Sequence, residues 1–411
     1  MNMIVKKFVK VQAKKLLYKR GASDDKLSDI MEMLESGKLT LHKGRIYVNS
    51  FMPIVGTKGF FTLLKDLEEI RPGHGIPIYT DIAVTQQCPY NCWHCSYKER
   101  ESGQQLSTSH YMRILDELVD LKGCIVGFTG GEPLTNPDLE KLIAHVDGRM
   151  GTLLLTTGYS LTYDRAVALK EAGLDIPVIS LDHYTEEVHD KLRGYKGAFR
   201  NALNAINLFK KAGFYVVTTM APTKEIVNAD SEIDTYLQFA RDIGVNEVRI
   251  AAPSLSGNLL KKSGSKFGSS EHEFLQNVSI EYNKRKGFPT VSAFSLIESK
   301  EMFGCGAGFH FCFVDHMGNV CPCDVSPLRF GNIRDMSLRE AWENMSSYFK
   351  CPRSDCYANV INEAVSAKNS KLPLSWEDSI DIVTKLPSTK IRFTLPKLYD
   401  SIGFGDYHGI N

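Results

Sequence analysis

The chain has 411 residues, 43% of them hydrophobic and 24% charged, and its 49 basic residues against 48 acidic ones give a net charge of +1. This composition is ordinary for a soluble globular protein and excludes intrinsic disorder and fibrous repeats. A charge near zero provides no overall field to hold nucleic acid, so we expect no nucleic-acid partner. No apolar run reaches the roughly 20 residues of a membrane span, and no signal-peptide pattern is present, which predicts a cytoplasmic protein.

The first 75 residues, 1–75, are predicted to form an accessory segment. Residues 2–20 contain seven basic residues and no acidic one, interleaved with apolar residues, which predicts a basic amphipathic helix. That helix has two interpretations: a solvated face over the rest of the protein, or contact with anionic lipid or an acidic leader peptide, which would make the protein peripheral at the membrane surface. A helix, two strands and a second helix are predicted to follow, over residues 25–34, 39–41, 45–48 and 62–70.

Strands alternate with helices over residues 76–290. Six apolar runs predict buried strands, near residues 78–84, 124–128, 152–156, 177–181, 214–220 and 247–251. Helical patterns follow several of them, as at residues 109–120, 138–146 and 163–172. Six β/α units in series predict an α/β fold with a parallel sheet buried on both faces. They are too few for a full eight-stranded barrel, so we expect a partial (β/α)6 TIM-like barrel with functional groups at the carboxyl ends of its strands.

The C-terminal part of the chain is rich in cysteine. A loop rich in Gly, Ser and Lys, residues 254–270, precedes it, and six of the ten cysteines lie between residues 305 and 356. Because cytosolic thiols stay reduced, these cysteines indicate metal ligands rather than disulfides. We therefore expect a small module held by metal over residues 291–365 and a tail over residues 366–411.

Three further cysteines, Cys88, Cys92 and Cys95, follow the first predicted barrel strand in a CxxxCxxC pattern. Thiolates this close together in sequence converge on one iron–sulfur cluster and leave one iron without a protein ligand. A zinc site with His94 as the fourth ligand is the alternative, but zinc sites usually pair two-residue cysteine spacings. Cys124 lies within the second predicted strand and is expected to be a core residue.

This CxxxCxxC loop resembles the hallmark of the radical S-adenosylmethionine (SAM) superfamily, and the resemblance covers residues 78–360. It implies a [4Fe–4S] cluster on Cys88, Cys92 and Cys95, with SAM bound to the fourth iron and His94 packed near the adenine. It also implies that reductive cleavage of SAM yields a 5′-deoxyadenosyl radical that abstracts hydrogen from a substrate. An external electron donor such as flavodoxin or ferredoxin is implied as a partner.

Further motifs extend the resemblance in chain order. Residues 130–133 resemble the family's GGEP motif, which receives the SAM ammonium, and residues 156–158 end the third strand where the family contacts ribose. Ser180, Asp182 and Arg193 resemble a pattern that meets the ribose and the carboxylate of SAM. Ordinary turns, helix caps and surface ion pairs are the alternatives. The SAM-binding residues implied in this way are Gly130, Gly131, Glu132, Pro133, Thr157, Ser180, Asp182 and Arg193.

The C-terminal cysteines resemble the twitch/SPASM extension of radical SAM enzymes, because Gly318 precedes a Pro-Cys step in a hairpin pattern. This resemblance implies a second, auxiliary [4Fe–4S] cluster. Its implied ligands are Cys305, Cys312, Cys323 and Cys356.

Two points about this second cluster stay open. Cys351 competes with Cys356 for the fourth ligand position, and Cys321 is a spare thiol, a ligand, or a donor of a proton or hydrogen atom. Zinc is an alternative occupant of the module, because four thiolates satisfy zinc equally well.

The resemblance predicts an oxidoreductase that modifies a ribosomal peptide or protein, because peptide maturation is the commonest task of enzymes with this extension. The alternative is radical modification of a small metabolite or a lipid precursor. A third hypothesis, a SAM-binding or electron-relay protein without turnover, is less favoured because both cysteine motifs are intact.

Overall fold

The computed structural model describes residues 38–386, 395–400 and 404. The basic helix expected over residues 2–20 and the helix expected over residues 25–34 lie outside the described residues. In the part of the chain that the structure describes, no helix is long and apolar enough to cross a bilayer.

The described chain begins with an antiparallel hairpin of β1 (Thr40–His42) and β2 (Arg45–Tyr47), followed by helix α1 (Lys58–Glu69). The hydroxyl of Thr57 caps α1 by accepting a hydrogen bond from the backbone N–H of Phe60. The predicted strand pair and helix are therefore confirmed, although the helix begins earlier than residue 62.

A parallel sheet forms the centre of the protein. All six predicted strands are confirmed: β3 (Tyr79–Ala83), β4 (Ile125–Thr129), β5 (Gly151–Thr156), β6 (Ile176–Ser180), β7 (Val217–Met220) and β8 (Glu247–Ile250). A seventh strand, β9 (Thr290–Ala293), pairs in parallel with β8 and was not predicted. Its four residues alternate polar and apolar, so it lacks the continuous apolar run by which the other strands were recognised.

Helices connect these strands and cover the outer face of the sheet. They are α2 (Thr108–Asp120), α3 (Leu139–Val146), α4 (Tyr163–Glu171), α5 (Glu186–Arg193), α6 (Ala198–Lys211), α7 (Lys224–Asn228), α8 (Glu232–Asp242), α9 (Ser269–Lys284) and α10 (Phe294–Ile297). Leu115, Leu142 and Phe209 on three of them are fully buried in one core with the outward-facing strand residues. Because this core lies on the outer face of the sheet, the residues on the inner face make other contacts.

The C-terminal part extends the same sheet rather than standing apart from it. Strands β10 (Phe311–Val314) and β11 (Val320–Cys321) form an antiparallel hairpin, and β10 pairs in parallel with β3. The strand order is β11-β10-β3-β4-β5-β6-β7-β8-β9, and among the described strands no pairing joins β9 to β11. The protein is therefore an open, partial barrel, as predicted. Among the described residues, four helices follow this hairpin: α11 (Leu338–Ser346), α12 (Tyr357–Lys368), α13 (Trp376–Lys385) and α14 (Lys397–Tyr399).

The amino end of the barrel is closed by Ser50, which lies between two charged side chains of β8. Glu247 Oε1 accepts hydrogen bonds from the backbone N–H and the hydroxyl of Ser50 (3.1 and 2.7 Å). Arg249 donates to the hydroxyl and the carbonyl of Ser50 (2.6 and 2.7 Å), and its guanidinium lies 4.1 Å from the ring centre of Phe51. Because these side chains fill the amino end of the barrel, we expect the functional site at the carboxyl end.

We predict that Ser50→Ala lowers the free energy of unfolding by about 1.5–3 kcal/mol, because two buried charged groups each lose a hydrogen bond. Thermal and chemical unfolding of the anaerobic protein measures the change. The matched control is Ser347→Ala, which removes an exposed hydroxyl bonded only to the carbonyl of Asn344 (2.7 Å) and should change stability by less than about 0.5 kcal/mol. Equal effects of the two substitutions would show that the hydrogen bonds of Ser50 do not stabilise the amino end of the barrel.

Candidate active site

The loop after β3, residues 84–100, brings its three cysteines together at the carboxyl end of the barrel. Burial raises the pKa of the Cys88 thiol to about 12, and the neighbouring thiols of Cys92 and Cys95 add to the rise. Such thiols become thiolates only beside a strong cation or a metal. Among the described residues, no three Cys, His, Asp or Glu side chains are close enough to share a single metal ion.

One side of this loop is attached to the end of helix α5. The backbone N–H of Asn91 donates to the carbonyl of Arg193 (3.1 Å), and that of Trp93 donates to the carbonyl of Leu192 (3.0 Å). Gly194 has φ of +57°, and a Cβ there would lie 2.4 Å from the carbonyl oxygen of Asn91. Glycine is therefore required at this position both for the backbone conformation and for the close approach.

The other side of the loop is attached to the segment after β8. Asn258 donates from its backbone N–H to the carbonyl of Cys95 (2.9 Å) and from its side-chain amide to the carbonyl of Cys92 (2.8 Å). Gly257, with φ of +50°, approaches so closely that a Cβ would lie 2.2 Å from the carbonyl oxygen of Cys95. Sequence spacing does not reveal this contact, because its partners are more than 150 residues apart in the chain.

The GGEP segment lies against the residues that immediately precede Cys88. The backbone N–H of Gly131 donates to the carbonyl of Thr85 (2.8 Å), and that of Glu132 donates to the carbonyl of Gln87 (2.7 Å). A Cβ on Gly131 would lie 2.3 Å from the Gln87 carbonyl oxygen. Gly130 and Gly131 are partly exposed, whereas Pro133 is buried in the 3-10 turn that follows.

The carboxylate of Glu132 is fully buried and joins this segment to the end of β5. It accepts hydrogen bonds from the hydroxyl of Thr156 (2.5 Å), from the hydroxyl and backbone N–H of Thr157 (2.5 and 2.7 Å), and from the backbone N–H of Leu134 (3.0 Å). Burial raises the pKa of Glu132 and these donors oppose the rise. Four donors fill the acceptor sites of one carboxylate, so its orientation is fixed.

Asp182 and Arg193 form a buried ion pair beside the cysteine loop, with two N–O distances of 2.7 Å. Burial disfavours the charge of Asp182, but Arg193 prevails and holds the pKa of that carboxyl below its usual value. Arg193 also lies 3.8 Å from the sulfur of Cys92. Burial lowers the pKa of His94 to about 4, and its Nδ1 has no hydrogen-bond partner among the described residues. Ser180, at the end of β6, is partly exposed.

At the C-terminal side, the structure brings together Cys305, Cys323 and Cys356, which we call the auxiliary thiol group. Burial raises the pKa of all three thiols, to about 12 for Cys305, and the charges of Cys305 and Cys356 both act on Cys323. Helix α12 begins directly after Cys356, and amides of its first turn lower the pKa of Cys305 and Cys356 against the effect of burial. A helix N-terminus that faces two sulfurs favours an anionic, metal-bound state of both.

The other implied ligand, Cys312, lies in strand β10. Side chains alternate along a strand, and Phe313 lies opposite Cys321 across the hairpin, so Cys312 takes the other face of β10. It is fully buried in the same apolar core as Cys305, against which Cys323 also packs, and the charge of Cys321 adds to the rise that burial causes in the pKa of Cys312. Cys351 packs in a separate apolar cluster with Phe309.

Arg100 connects the cysteine loop to the C-terminal hairpin. Its guanidinium lies 3.6 Å from the sulfur of Cys321 and 3.7 Å from the fully buried carboxylate of Asp315, and it donates to the carbonyl of Asp324 (3.1 Å). It also lies 4.7 Å from the ring centre of Phe313. No sequence motif points to Arg100, because its partners follow more than 200 residues later.

Comparisons with known proteins agree with this arrangement. Residues 82–240 match the profile of the radical SAM superfamily, and residues 305–359 match SPASM, an iron–sulfur cluster-binding domain. The chain belongs to the radical SAM superfamily. It is a radical SAM enzyme with a C-terminal SPASM domain.

Similar sequences and structures are known. An AdoMet-dependent heme synthase of Methanosarcina barkeri is 27% identical over 292 residues, covering 65% of this chain and 82% of that protein. The heme synthase of Oleidesulfovibrio alaskensis is 28% identical over 297 residues, covering 65% and 74%. SuiB of Streptococcus suis bound to the precursor peptide SuiA has a TM-score of 0.57 at 17% identity, covering 79% of each chain. Native anSMEcpe with bound AdoMet has a TM-score of 0.54 at 19% identity, covering 79% and 99%. These two structures share the fold of this radical SAM enzyme.

The residues of this radical SAM enzyme fit the cofactors that its family implies. The buried Nδ1 of His94 has no partner in the part of the chain that the structure describes, and glycines allow the cysteine loop to pack closely against its neighbours. At the SPASM domain, backbone amides face the sulfurs of the auxiliary thiol group. Hydrogen bonds to sulfur are a regular feature of iron–sulfur sites.

We predict that Gly257→Ala removes the iron of the first site, about four atoms per chain, because the added Cβ displaces the carbonyl of Cys95 and strains the backbone. Iron and sulfide analysis after anaerobic reconstitution measures the loss, and circular dichroism checks the fold. The matched control is Gly264→Ala in a nearby turn, where a Cβ meets nothing within 4 Å. Full iron content in both variants would contradict this role of Gly257.

Proposed function

We propose that this chain holds a [4Fe–4S] cluster on Cys88, Cys92 and Cys95, binds SAM beside it and abstracts a hydrogen atom from a substrate. The observation that carries the proposal is the convergence of these thiols with the buried Asp182–Arg193 pair at the carboxyl end of an open parallel barrel. When bound, the reduced cluster and SAM supply the 5′-deoxyadenosyl radical that takes the hydrogen atom. An external donor such as flavodoxin or ferredoxin is proposed to supply the electron.

The residues around the loop have separate tasks in binding SAM. The carboxylate of Glu132, held in place by its four donors, raises the pKa of Cys88 through its charge, and this negative charge beside the first site would attract the SAM ammonium. Arg193 offers a cation for the SAM carboxylate, and the neutral ring of His94 offers a flat surface to the adenine. The residues proposed for SAM binding are His94, Gly130, Gly131, Glu132, Pro133, Thr157, Ser180, Asp182 and Arg193.

We further propose that the auxiliary thiol group holds the iron–sulfur cluster of the SPASM domain. Arg100 then lies between the two cysteine groups. Its guanidinium forms an ion pair with Asp315 and contacts the sulfur of Cys321. A fully buried cation at this place opposes the negative charge of both clusters and ties their supporting loops together.

The substrate is proposed to be a peptide, modified on a neutral or basic segment. Carboxyl groups line the region between the two cysteine sites: Asp81 points into the barrel with Oδ1 unpartnered, and Asp324 raises the pKa of both Asp81 and Glu298 in addition to burial. The neighbouring cations Arg100 and Arg249 are already held by other groups. A cationic group of a substrate would favour the ionised form of these carboxyls, whereas an anionic substrate would disfavour it further. SuiB, which shares this fold, was solved with a precursor peptide.

A small metabolite is the second candidate substrate. The observation that favours it is sequence identity, because the AdoMet-dependent heme synthases are more similar in sequence to this chain than SuiB is. The two candidate substrates differ in charge, and therefore in how they would interact with the carboxyl groups between the two cysteine sites.

We predict that the reconstituted protein, with dithionite and SAM under anaerobic conditions, slowly releases 5′-deoxyadenosine without substrate. The combined Cys88→Ala, Cys92→Ala and Cys95→Ala variant should release none and should lose about four iron atoms per chain. Chromatography of the nucleoside and iron analysis measure both effects. The matched control is Cys124→Ala, at the other end of the barrel beside Asp66, which should keep the iron and the release. Absence of 5′-deoxyadenosine from fully loaded protein would refute the proposed activity.

We predict that a neutral or basic peptide from a neighbouring gene accelerates this release, and that deuterium on the attacked carbon of the peptide appears in 5′-deoxyadenosine. Mass spectrometry of the nucleoside measures the transfer. Small carboxylated metabolites and lipid precursors are tested side by side. If one of these compounds, rather than the peptide, accelerates 5′-deoxyadenosine release and transfers deuterium, the substrate is a small molecule.

A further inference from the structure

Three central strands of the barrel expose side chains on their inner face. Leu155 of β5, Ser180 of β6 and Thr219 of β7 are partly exposed, although each of these strands has a neighbouring strand on both sides. The adjacent residues Leu154 and Ile179 are fully buried in the core under the helices, so the exposed side chains point the other way, into the barrel. Their exposed surface therefore lines a space inside the barrel.

Asp81 lies at the edge of this space. It is on the inner face of β3, because Ile82 is buried in the outer core whereas Tyr79, two residues before Asp81, packs inside the barrel. In the sheet register Asp81 stands opposite Gly127 of β4. A Cβ on Gly127 would collide with Asp81 Oδ1 and would lie 3.1 Å from Leu155 Cδ1. The lack of a side chain at Gly127 thus allows the Asp81 carboxylate to reach across β4 towards Leu155.

One oxygen of this carboxylate is left without a partner. Asp81 is only 5% exposed, and its Oδ1 has no hydrogen-bond partner among the described residues. Burial and the charge of Asp324 raise the pKa of Asp81, while Arg249 and Tyr79 oppose the rise. Arg249 nevertheless donates its hydrogen bonds to Ser50. A buried carboxylate oxygen without a donor is costly unless a ligand supplies one.

The first cysteine site is close to Asp81 along the same strand. On its other side Asp81 stands opposite Phe313 of β10, and Phe313 and Ala83 belong to a small apolar cluster against which Cys95 packs. Ala83 is two residues beyond Asp81, a rise of about 6.6 Å along a strand. A substrate group held by Asp81 therefore lies about one side-chain length from the cysteine loop.

We propose that Asp81 determines which side chain of the peptide substrate is attacked, by accepting a hydrogen bond inside the barrel from the ammonium group of a lysine or the guanidinium group of an arginine. The aliphatic part of that side chain then packs against Leu155 and extends towards the first site. One hydrogen atom moves from a carbon of this aliphatic part to the 5′ carbon of the deoxyadenosyl radical, and the radical centre passes to that carbon. The cationic group keeps its protons and stays bound to Asp81. The proposal rests on the radical chemistry and the peptide substrate proposed above, and it names the residue type that is attacked.

The test uses three blocked tripeptides, acetyl-Gly-X-Gly-amide, in which X is lysine, norleucine or glutamate with a fully deuterated side chain. Norleucine has nearly the same aliphatic chain as lysine but no ammonium group. With the reconstituted protein, dithionite and SAM, we expect deuterium in 5′-deoxyadenosine at least about tenfold faster from the lysine peptide than from the norleucine peptide, because only lysine forms the charge-assisted hydrogen bond. The glutamate peptide should be the slowest of the three. Mass spectrometry of the nucleoside measures the transfer.

Asp81→Asn should reduce the transfer from the lysine peptide to the rate of the norleucine peptide. Calorimetric titration of the SAM-free protein should show the same change, as a dissociation constant for the lysine peptide that rises about tenfold. The matched control is Asp66→Asn, which should keep the preference for lysine. Asp66 is also buried and also has an unpartnered Oδ1, but it lies beside Cys124 at the other end of the barrel. The iron content of each variant is measured first, and rates are expressed per loaded chain.

A competition experiment with the parent protein guards against a variant that fails to fold. Butylammonium chloride should slow deuterium transfer from the lysine peptide, whereas the same concentration of 1-butanol, which has the same alkyl chain and no charge, should not. Equal inhibition by the two compounds would contradict a carboxylate that selects a cation.

The outcomes separate this inference from the proposed function. Absence of 5′-deoxyadenosine from the loaded parent protein would refute the radical chemistry itself. Release of 5′-deoxyadenosine without deuterium from any tripeptide, equal transfer from lysine and norleucine, or a preference for glutamate would overturn the role of Asp81 while the radical chemistry stands. A retained preference for lysine in Asp81→Asn would overturn it as well. Equal loss of transfer from all three tripeptides in that variant would do the same, because it would indicate a structural role.

Discussion

The close backbone approach around the loop of residues 84–100 is the constraint on which the rest of the structure depends. A loop that carries three thiols into the mouth of a barrel has buried backbone groups, and each of them needs a partner. The partners come from α5 on one side and from the segment after β8 on the other, at Gly194 and Gly257. At both places a Cβ would collide with a carbonyl oxygen of the loop. Small residues at distant positions thus determine whether the cysteines converge.

The relative position of the two cysteine sites depends on the single sheet that contains both of them. Strand β10 hydrogen bonds to β3, so the SPASM domain is a continuation of the barrel rather than a separate body. Arg100 then crosses from the first cysteine loop to Asp315 and Cys321. Removing one partner of such a buried ion pair leaves an unpaired charge, which costs about 3–5 kcal/mol. The relative position of the two sites is therefore held by backbone and by charge together.

The sites differ in how their sulfurs are stabilised. At the first site a cation does this, since Arg193 lies 3.8 Å from the sulfur of Cys92. At the second site the amino end of α12 does it through backbone amides that face Cys305 and Cys356. Both arrangements oppose the effect of burial, which raises the pKa of these thiols. Metal binding and the packing of the two loops are therefore coupled.

The sequence by itself determined the six core strands, the α/β class, the partial barrel and the first cysteine triplet, because these depend on local apolar runs and short spacings. It did not predict β9, whose alternating residues give no apolar run. Only the tertiary structure paired β10 with β3 and brought the segment after β8 against the cysteine loop. These contacts join segments distant in the chain, and such contacts leave no periodic pattern in the sequence.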